Sequence, residues 1–234
     1  MHRNTAPLRV TRSSRASSRV SGGFTTTVPE NPSLARSFTP LIRIRWINRC
    51  PDRPKQCLQT GNNEFVLACD MRFAARQNAL FGNPEVGVGL IPGGGALEWL
   101  PRLVGRSRAL EFVLSADDFD ADIAERYGWV NRTLDDGDLD AFVDKLVRRL
   151  ASFGRETLGV AKAQVNRFGM PTAAELQSSN EMIFPMLALP DAQARRPKLR
   201  GIGYGVPSDF ELNFGRYLPS FGRADENDAD SQHA

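Results

Sequence analysis

The sequence predicts an α/β protein with a helical C-terminal part, and three observations lead there. Segments of strand character at residues 71–75 and 129–134 alternate with segments of helical period. Gly- and Pro-rich breaks, Phe81-Gly82-Asn83-Pro84 and Gly93-Gly94-Gly95, separate them. Residues 138–187 then show helical patterns alone.

Taken in order, the polar start Gly61-Asn62-Asn63 precedes an apolar helix over residues 64–69, with Asn as cap and Glu64 near its positive end. Residues 71–75 read as a strand and 81–84 as a turn. Beyond the glycine triplet come helices over 96–104 and 107–114, then a short helix over 120–127 that Gly128 stops, and a strand over 129–134. The clearest helix covers residues 138–153. There Leu139, Phe142, Val143, Leu146, Val147 and Leu150 share one face, and Asp140, Asp144, Lys145, Arg148 and Arg149 the other. Helices over 157–167 and 172–187 follow, with Gly169-Met170-Pro171 between them. The chain thus divides into a basic, disordered or non-homologous segment 1–58, a folded domain 59–189 and a mobile tail 190–234 with an acidic end.

Composition removes several classes of chemistry. The chain has 234 residues, 24% charged and 41% hydrophobic, as in an ordinary globular protein. Apolar runs such as 65–68 fall far short of the roughly 18 to 20 residues that cross a bilayer. The two histidines, His2 and His233, lie in the polar ends, so Ser-His-Asp, Cys-His and His-metal chemistry is not expected in the core. Cys50, Cys57 and Cys69 match no zinc or redox spacing and suit a reducing compartment. The net charge of +3 is uneven: residues 1–58 carry +9, residues 59–189 carry −5 and residues 190–234 carry −1. A nucleic-acid partner therefore loses support from the folded part. The Arg- and Ser-rich segment 1–45 has the composition of a mitochondrial transit peptide, interrupted by Pro7 and Gly22-Gly23, so the expected location is cytoplasmic or mitochondrial.

Three motifs fail on inspection. Gly87-Val88-Gly89-Leu90-Ile91-Pro92 ends in proline where a dinucleotide fingerprint needs glycine. Asp118-Phe119-Asp120-Ala121-Asp122 opens like a calcium loop, but Ile123 stands at the glycine and Trp129 at the bidentate acid. The Arg12–Arg19 run with its serines reads as a polar tail. What remains is a pair of carboxylates in apolar settings, Glu64 and Glu85. Taken singly, Glu64 stabilises a helix N-terminus by about 0.3 to 1 kcal/mol and Glu85 solvates a turn.

The words of the sequence add to this. Gly-Asn-Asn-Glu-Phe-Val-Leu-Ala-Cys-Asp-Met-Arg-Phe-Ala from Gly61, Phe-Gly-Asn-Pro-Glu-Val-Gly-Val-Gly-Leu-Ile-Pro-Gly-Gly-Gly from Phe81 and Leu-Pro-Arg-Leu-Val-Gly-Arg from Leu100 stand in this order. Tyr127-Gly128-Trp129-Val130-Asn131 follows. Over about residues 60–188 the chain resembles the second half of the crotonase family, the enoyl-CoA hydratases and isomerases. The resemblance implies a spiral of ββα turns, here truncated, followed by a helical trimerisation region, with assembly as a homo-oligomer, trimer or hexamer. Glu64 and Glu85 match the family's two glutamates. In hydratases these activate the water that adds to the β-carbon of an acyl-CoA substrate and manage the proton at the α-carbon. Gly61 matches the middle glycine of a triplet whose N–H donates to the thioester oxygen. Such a reaction requires no metal or redox cofactor, coenzyme A entering as part of the substrate.

The physical reason for the set is the charge that develops on the thioester oxygen, which calls for two fixed N–H donors, and the proton traffic at adjacent carbons, which two carboxylates of different pKa can carry. Glu64 is expected to orient and deprotonate the water and Glu85 to deliver the proton. Thr60-Gly61-Asn62 stands in place of the glycine triplet, and Ala96-Leu97-Glu98-Trp99 replaces Gly-Thr-Gln-Arg. Residues 1–58 lack the family's Ala-Phe-Ser-Ala-Gly-Ala-Asp-Leu segment, which supplies the first oxyanion donor. Three readings stay open: a hydratase, an isomerase in which Glu85 alone shuttles a proton, and an inactive fragment serving as a subunit-interface or binding module.

Overall fold

Among the described residues, two three-stranded sheets organise the fold. The structure is a computed structural model and describes residues 42, 44–47, 56–58, 61–202, 204 and 208–221. The expectations for residues 1–41, for Cys50 and for the acidic end from 222 onward, His2 and His233 included, lie outside those residues. The first sheet joins β1 (Ile44–Ile47), β3 (Met71–Ala75) and β6 (Arg132–Leu134), all parallel, in the order β1-β3-β6. The second joins β2 (Gln56–Leu58) parallel to β4 (Ala79–Gly82), and β4 antiparallel to β5 (Asp118–Asp120). The first four strands alternate between the sheets. Helix α1 (Gly61–Leu67) follows the β1-β2 pair, and α2 (Ala96–Val104) follows the β3-β4 pair. These are two ββα turns.

The turns close on an apolar core. From α2, Ala96, Leu100 and Val104 recur at every fourth position and are buried. They meet Val66 and Leu67 of α1 and Ala109, Phe112 and Val113 of α3 (Arg106–Ser115). Trp129 lies at the centre, its ring 5.5 Å from Phe81 and 4.4 Å from Phe112. Helix α4 (Ala121–Tyr127) begins where the Asp120 carboxylate accepts from the Ile123 N–H, and it ends at Gly128 with φ +91°. Helix α5 (Leu139–Ala151) places Leu139 and Val143 on Phe73, as its period predicts. Arg72 binds the layers from within: its Nε–H donates to Trp129 O at 2.7 Å and its Nη1–H to Cys69 O at 2.6 Å. It thereby fills the Cys69 carbonyl just past the end of α1 and the Trp129 carbonyl just past the end of α4.

Helices α6 (Arg155–Gly169) and α7 (Ala173–Leu187) follow. Thr172 and Glu175 form a reciprocal capping box at the start of α7.

The structure differs from expectation at both ends of the domain. Segment 1–58 contains β1 and β2, because Ile44–Ile47 and Gln56–Leu58 pair with β3 and β4. The tail expected to be mobile from residue 190 carries α8 (Pro190–Gly201), α9 (Asp209–Leu212) and α10 (Phe214–Tyr217), closed by a 3₁₀ turn at Leu218–Phe221. Phe210, Phe214 and Leu218 bury together against Ala116 and Leu199, which holds this segment to the body. Strands β4 and β5 also lie where only a turn and an acidic helix start were expected, and residues 129–131 form a turn before a strand that begins at Arg132.

Candidate active site

Glu64 belongs to α1, yet its carboxylate lies at the start of α2. The Gly94 N–H donates to Glu64 Oε1 at 2.6 Å, and the Ala96 N–H also acts on the carboxylate. This is the positive end of α2, where backbone N–H groups have no helical acceptor. Burial nonetheless prevails: desolvation raises the Glu64 pKa above the ordinary carboxylate value, these donors lower it in part, and the Glu98 charge adds to the rise.

A side chain anywhere in Gly93-Gly94-Gly95 would force a neighbour to move. A Cβ on Gly94 would fall 2.1 Å from Glu64 Oε2 and one on Gly93 1.8 Å from Ile183 Cδ1. Gly95 has φ +111° and faces Leu176. Both Leu176 and Ile183 come from α7, whose Asn180 Nδ2–H donates to Gly93 O at 3.2 Å. The triplet read from sequence as a chain break is thus a close-approach loop pinned between α7 and Glu64.

Glu85 opens the one-turn 3₁₀ helix Val86–Val88 and is partly buried. Desolvation, joined by the Glu64 charge, pushes its carboxyl up to about 7, against its own backbone N–H and the Asn83 amide, which lower it. The structure therefore brings the two sequence-predicted glutamates within electrostatic reach. One belongs to the first ββα turn and the other to the second. Glu85 Oε2 is buried without a hydrogen-bond partner among the described residues. Gly61, the third predicted residue, begins α1 one turn before Glu64.

Two further groups were not legible as site residues. Asn63 and Asn83, both fully buried, are joined by a hydrogen bond of 3.1 Å from Nδ2 to Oδ1 and flank the glutamates in the chain. In sequence Asn63 reads as part of a helix cap and Asn83, between Gly82 and Pro84, as turn chemistry. Glu98, at the position where the family has Gln, is a third carboxyl near Glu64, and its Oε2 is buried without a partner.

The C-terminal segment packs behind the Glu85 loop. Arg195, paired with Asp191, donates from Nη1 to Gly87 O at 3.1 Å, and Leu218 abuts Gly87 so closely that a Cβ there would lie 2.4 Å from its Cδ1. A cavity of about 550 Å³ lies to one side, lined by Trp99, Leu103, Leu158 and Val165 around the Asp70–Lys162 ion pair; neither glutamate lines it. Among the described residues no cluster of three His, Cys, Asp or Glu side chains is placed to hold a metal, and no helix is long and apolar enough to cross a membrane.

The profile of the enoyl-CoA hydratase/isomerase family matches residues 57–189, more than half the chain. The chain belongs to this family. A crotonyl-CoA hydratase of Syntrophomonas wolfei is 40% identical over 121 residues, 52% of this chain and 46% of that protein. A short-chain-enoyl-CoA hydratase of Clostridium acetobutylicum is 35% identical over 107 residues, 46% of this chain and 41% of its own. This family member thus spans about half the length of the curated relatives it matches. A crystal structure from Streptomyces avermitilis superposes with a TM-score of 0.71 at 40% identity, covering 76% of this chain and 62% of that one. An enoyl-CoA hydratase from Mycobacterium avium subsp. paratuberculosis gives 0.59 at 26% identity, covering 63% and 61%. The fold is that of the crotonase superfamily, with a helical C-terminal region.

Proposed function

We propose that this chain adds water across the double bond of a short enoyl-CoA thioester. The observation that carries the reading is the asymmetry of the pair: Glu85 is held at about 7 by burial and by the neighbouring Glu64 charge, while Glu64 accepts main-chain hydrogen bonds that favour its ionised form. Glu85, at about 7, keeps a proton to give near neutral pH, and Glu64, its anion steadied by the Gly94 and Ala96 N–H groups, is the base of the pair. Glu64 takes a proton from the water as the oxygen bonds to the β-carbon. Electrons of the double bond move into the thioester, and Glu85 delivers a proton to the α-carbon. The Gly61 N–H donates to the thioester oxygen. Loss of one such donor costs about 10²- to 10³-fold in rate. The reaction adds the elements of water with no net oxidation or reduction, so coenzyme A enters only as part of the substrate.

Support for the substrate class comes from relatives named for crotonyl-CoA and short-chain enoyl-CoA. Assembly as a homo-oligomer belongs to the same proposal and rests on an exposed apolar face along α6 and α7, where Phe168 is 89%, Val165 72% and Phe184 68% exposed. A cytoplasmic or mitochondrial location is also proposed, from the composition of residues 1–45 and from a Dictyostelium discoideum relative designated mitochondrial.

The deciding experiment mixes the purified protein with crotonyl-CoA and follows loss of the conjugated thioester absorbance. Hydration that Glu64→Gln and Glu85→Gln each abolish is the expected result. A rate equal to background, unchanged in Glu85→Gln, overturns the proposal. Double-bond migration in a 3-enoyl-CoA without hydration replaces it with an isomerase.

A further inference from the structure

Behind the carboxylate pair lies a chain of hydrogen bonds with a fixed direction. Trp129, Asn63 and Asn83 are each fully buried, at 0% exposure. The Trp129 Nε1–H donates to Asn63 Oδ1 at 3.0 Å, and Asn63 Nδ2–H donates to Asn83 Oδ1 at 3.1 Å. An indole can only donate. Asn63 must therefore turn its carbonyl to the ring and its NH₂ to Asn83. Asn83 must in turn offer its carbonyl to Asn63 and its NH₂ to whatever lies beyond.

What lies beyond is Glu85. Asn83 Nδ2 is buried without a hydrogen-bond partner among the described residues, and Glu85 Oε2, two residues along the chain, is a buried acceptor in the same state. The Asn83 amide favours the ionised form of that carboxyl. A carbonyl turned the other way would oppose it. The orientation of one amide beside the carboxyl is thus decided by an indole two side chains away.

We propose that Asn83 is a positioning residue for Glu85, its NH₂ held toward the Glu85 carboxyl by the donor-only indole of Trp129 acting through Asn63. The mechanistic meaning rests on the reading of Glu85 as the proton donor; the direction of the relay does not. Other groups face Glu85 from neighbouring elements: Glu64 of α1 raises it by its charge, and Tyr204, which follows α8, feels the Glu85 charge in turn. Arg195 of α8, paired with Asp191, reaches Gly87 O two residues along. The indole relay differs from these in carrying no charge of its own.

The test is the titration of Glu85 in the free protein, read by carbon-13 NMR of labelled glutamate and assigned with Glu85→Gln. Asn83→Leu removes the amide that favours the ionised carboxyl and raises the midpoint by about one pH unit. Trp129→Phe keeps an aromatic ring against Phe81 and Phe112 but deletes the N–H, and it raises the midpoint in the same direction by less. Asn63→Leu interrupts the relay at its middle with the same outcome and serves if Trp129→Phe does not fold. A midpoint that stays at its wild-type value in folded Trp129→Phe or Asn63→Leu overturns the relay. The hydration assay separates this from the enzyme reading. A shifted midpoint in a protein that never hydrates enoyl-CoA upholds the relay and defeats the hydratase, and hydration with an unshifted midpoint does the reverse.

Discussion

The Gly94 N–H and Glu64 Oε1 are 2.6 Å apart, and the α-carbon of Gly94 is so close to the carboxylate that a methyl group there would sit 2.1 Å from Oε2. Main chain alone fixes where the Glu64 charge lies. Gly94→Ala should displace it and lower kcat/KM for crotonyl-CoA by about 10- to 100-fold, the order expected for a misplacement of about an ångström. Gly94 is exposed, so thermal melting should shift little. Wild-type kinetics in this variant would show that the carboxylate position is immaterial.

The raised carboxyls predict how stability follows pH. Glu85 titrates at the ordinary 4.5 when unfolded and at about 7 when folded, so the native state binds the proton more tightly. The resulting stabilisation is complete below about 4.5 and is lost as pH rises through about 7, some 3 kcal/mol in all. Glu85→Gln does not titrate. Its stability in urea should match the wild type near pH 4.5 and exceed it at pH 8, and curves that stay parallel would contradict the burial of this carboxyl. Glu64, also raised, gives a loss of the same sign.

Activity should show a bell, rising as Glu64 ionises and falling as Glu85 loses its proton near pH 7, with both limbs belonging to the coupled pair. A basic limb displaced well above this region would assign the proton delivery elsewhere.

Arg72 is buried, and desolvation lowers its pKa, with Cys69 and Asp70 opposing. Arg72→Met removes the donors that hold Trp129 O and Cys69 O. The expected cost is about 3 kcal/mol, because two carbonyls stay buried without their charged partner. Urea unfolding measures it.

The bare faces of α6 and α7 predict assembly. Phe168→Glu combined with Phe184→Glu should lower the oligomeric mass seen by sedimentation while leaving the secondary structure intact. A mass equal to wild type would place the interface elsewhere.

Much of the helical framework was legible because its signals are local. The face of α5, the Asp120 cap with its Gly128 stop, and Thr172 with Glu175 each declare an element within a few residues. The strands were harder: β2, β5 and β6 have three residues each, too few for an alternation to show, and they exist through pairing with distant partners. The C-terminal segment carried a signal that went unused, Phe210, Phe214 and Leu218 at every fourth position. At the site, Glu64 and Glu85 stood out as charges in apolar company. Asn63 and Asn83 did not, since burial is a property of the assembled fold, and an amide before a helix looks like a cap and one between glycine and proline like a turn.

The glycines at 93, 94 and 95 are crowded by three different neighbours, Ile183, the Glu64 carboxylate and Leu176. Each position answers to its own opponent, so a change that makes room at one leaves the other two as crowded as before. The stretch behaves as a lock with three tumblers, and relaxing it demands alteration both in α1, which carries Glu64, and in α7, which carries Leu176 and Ile183.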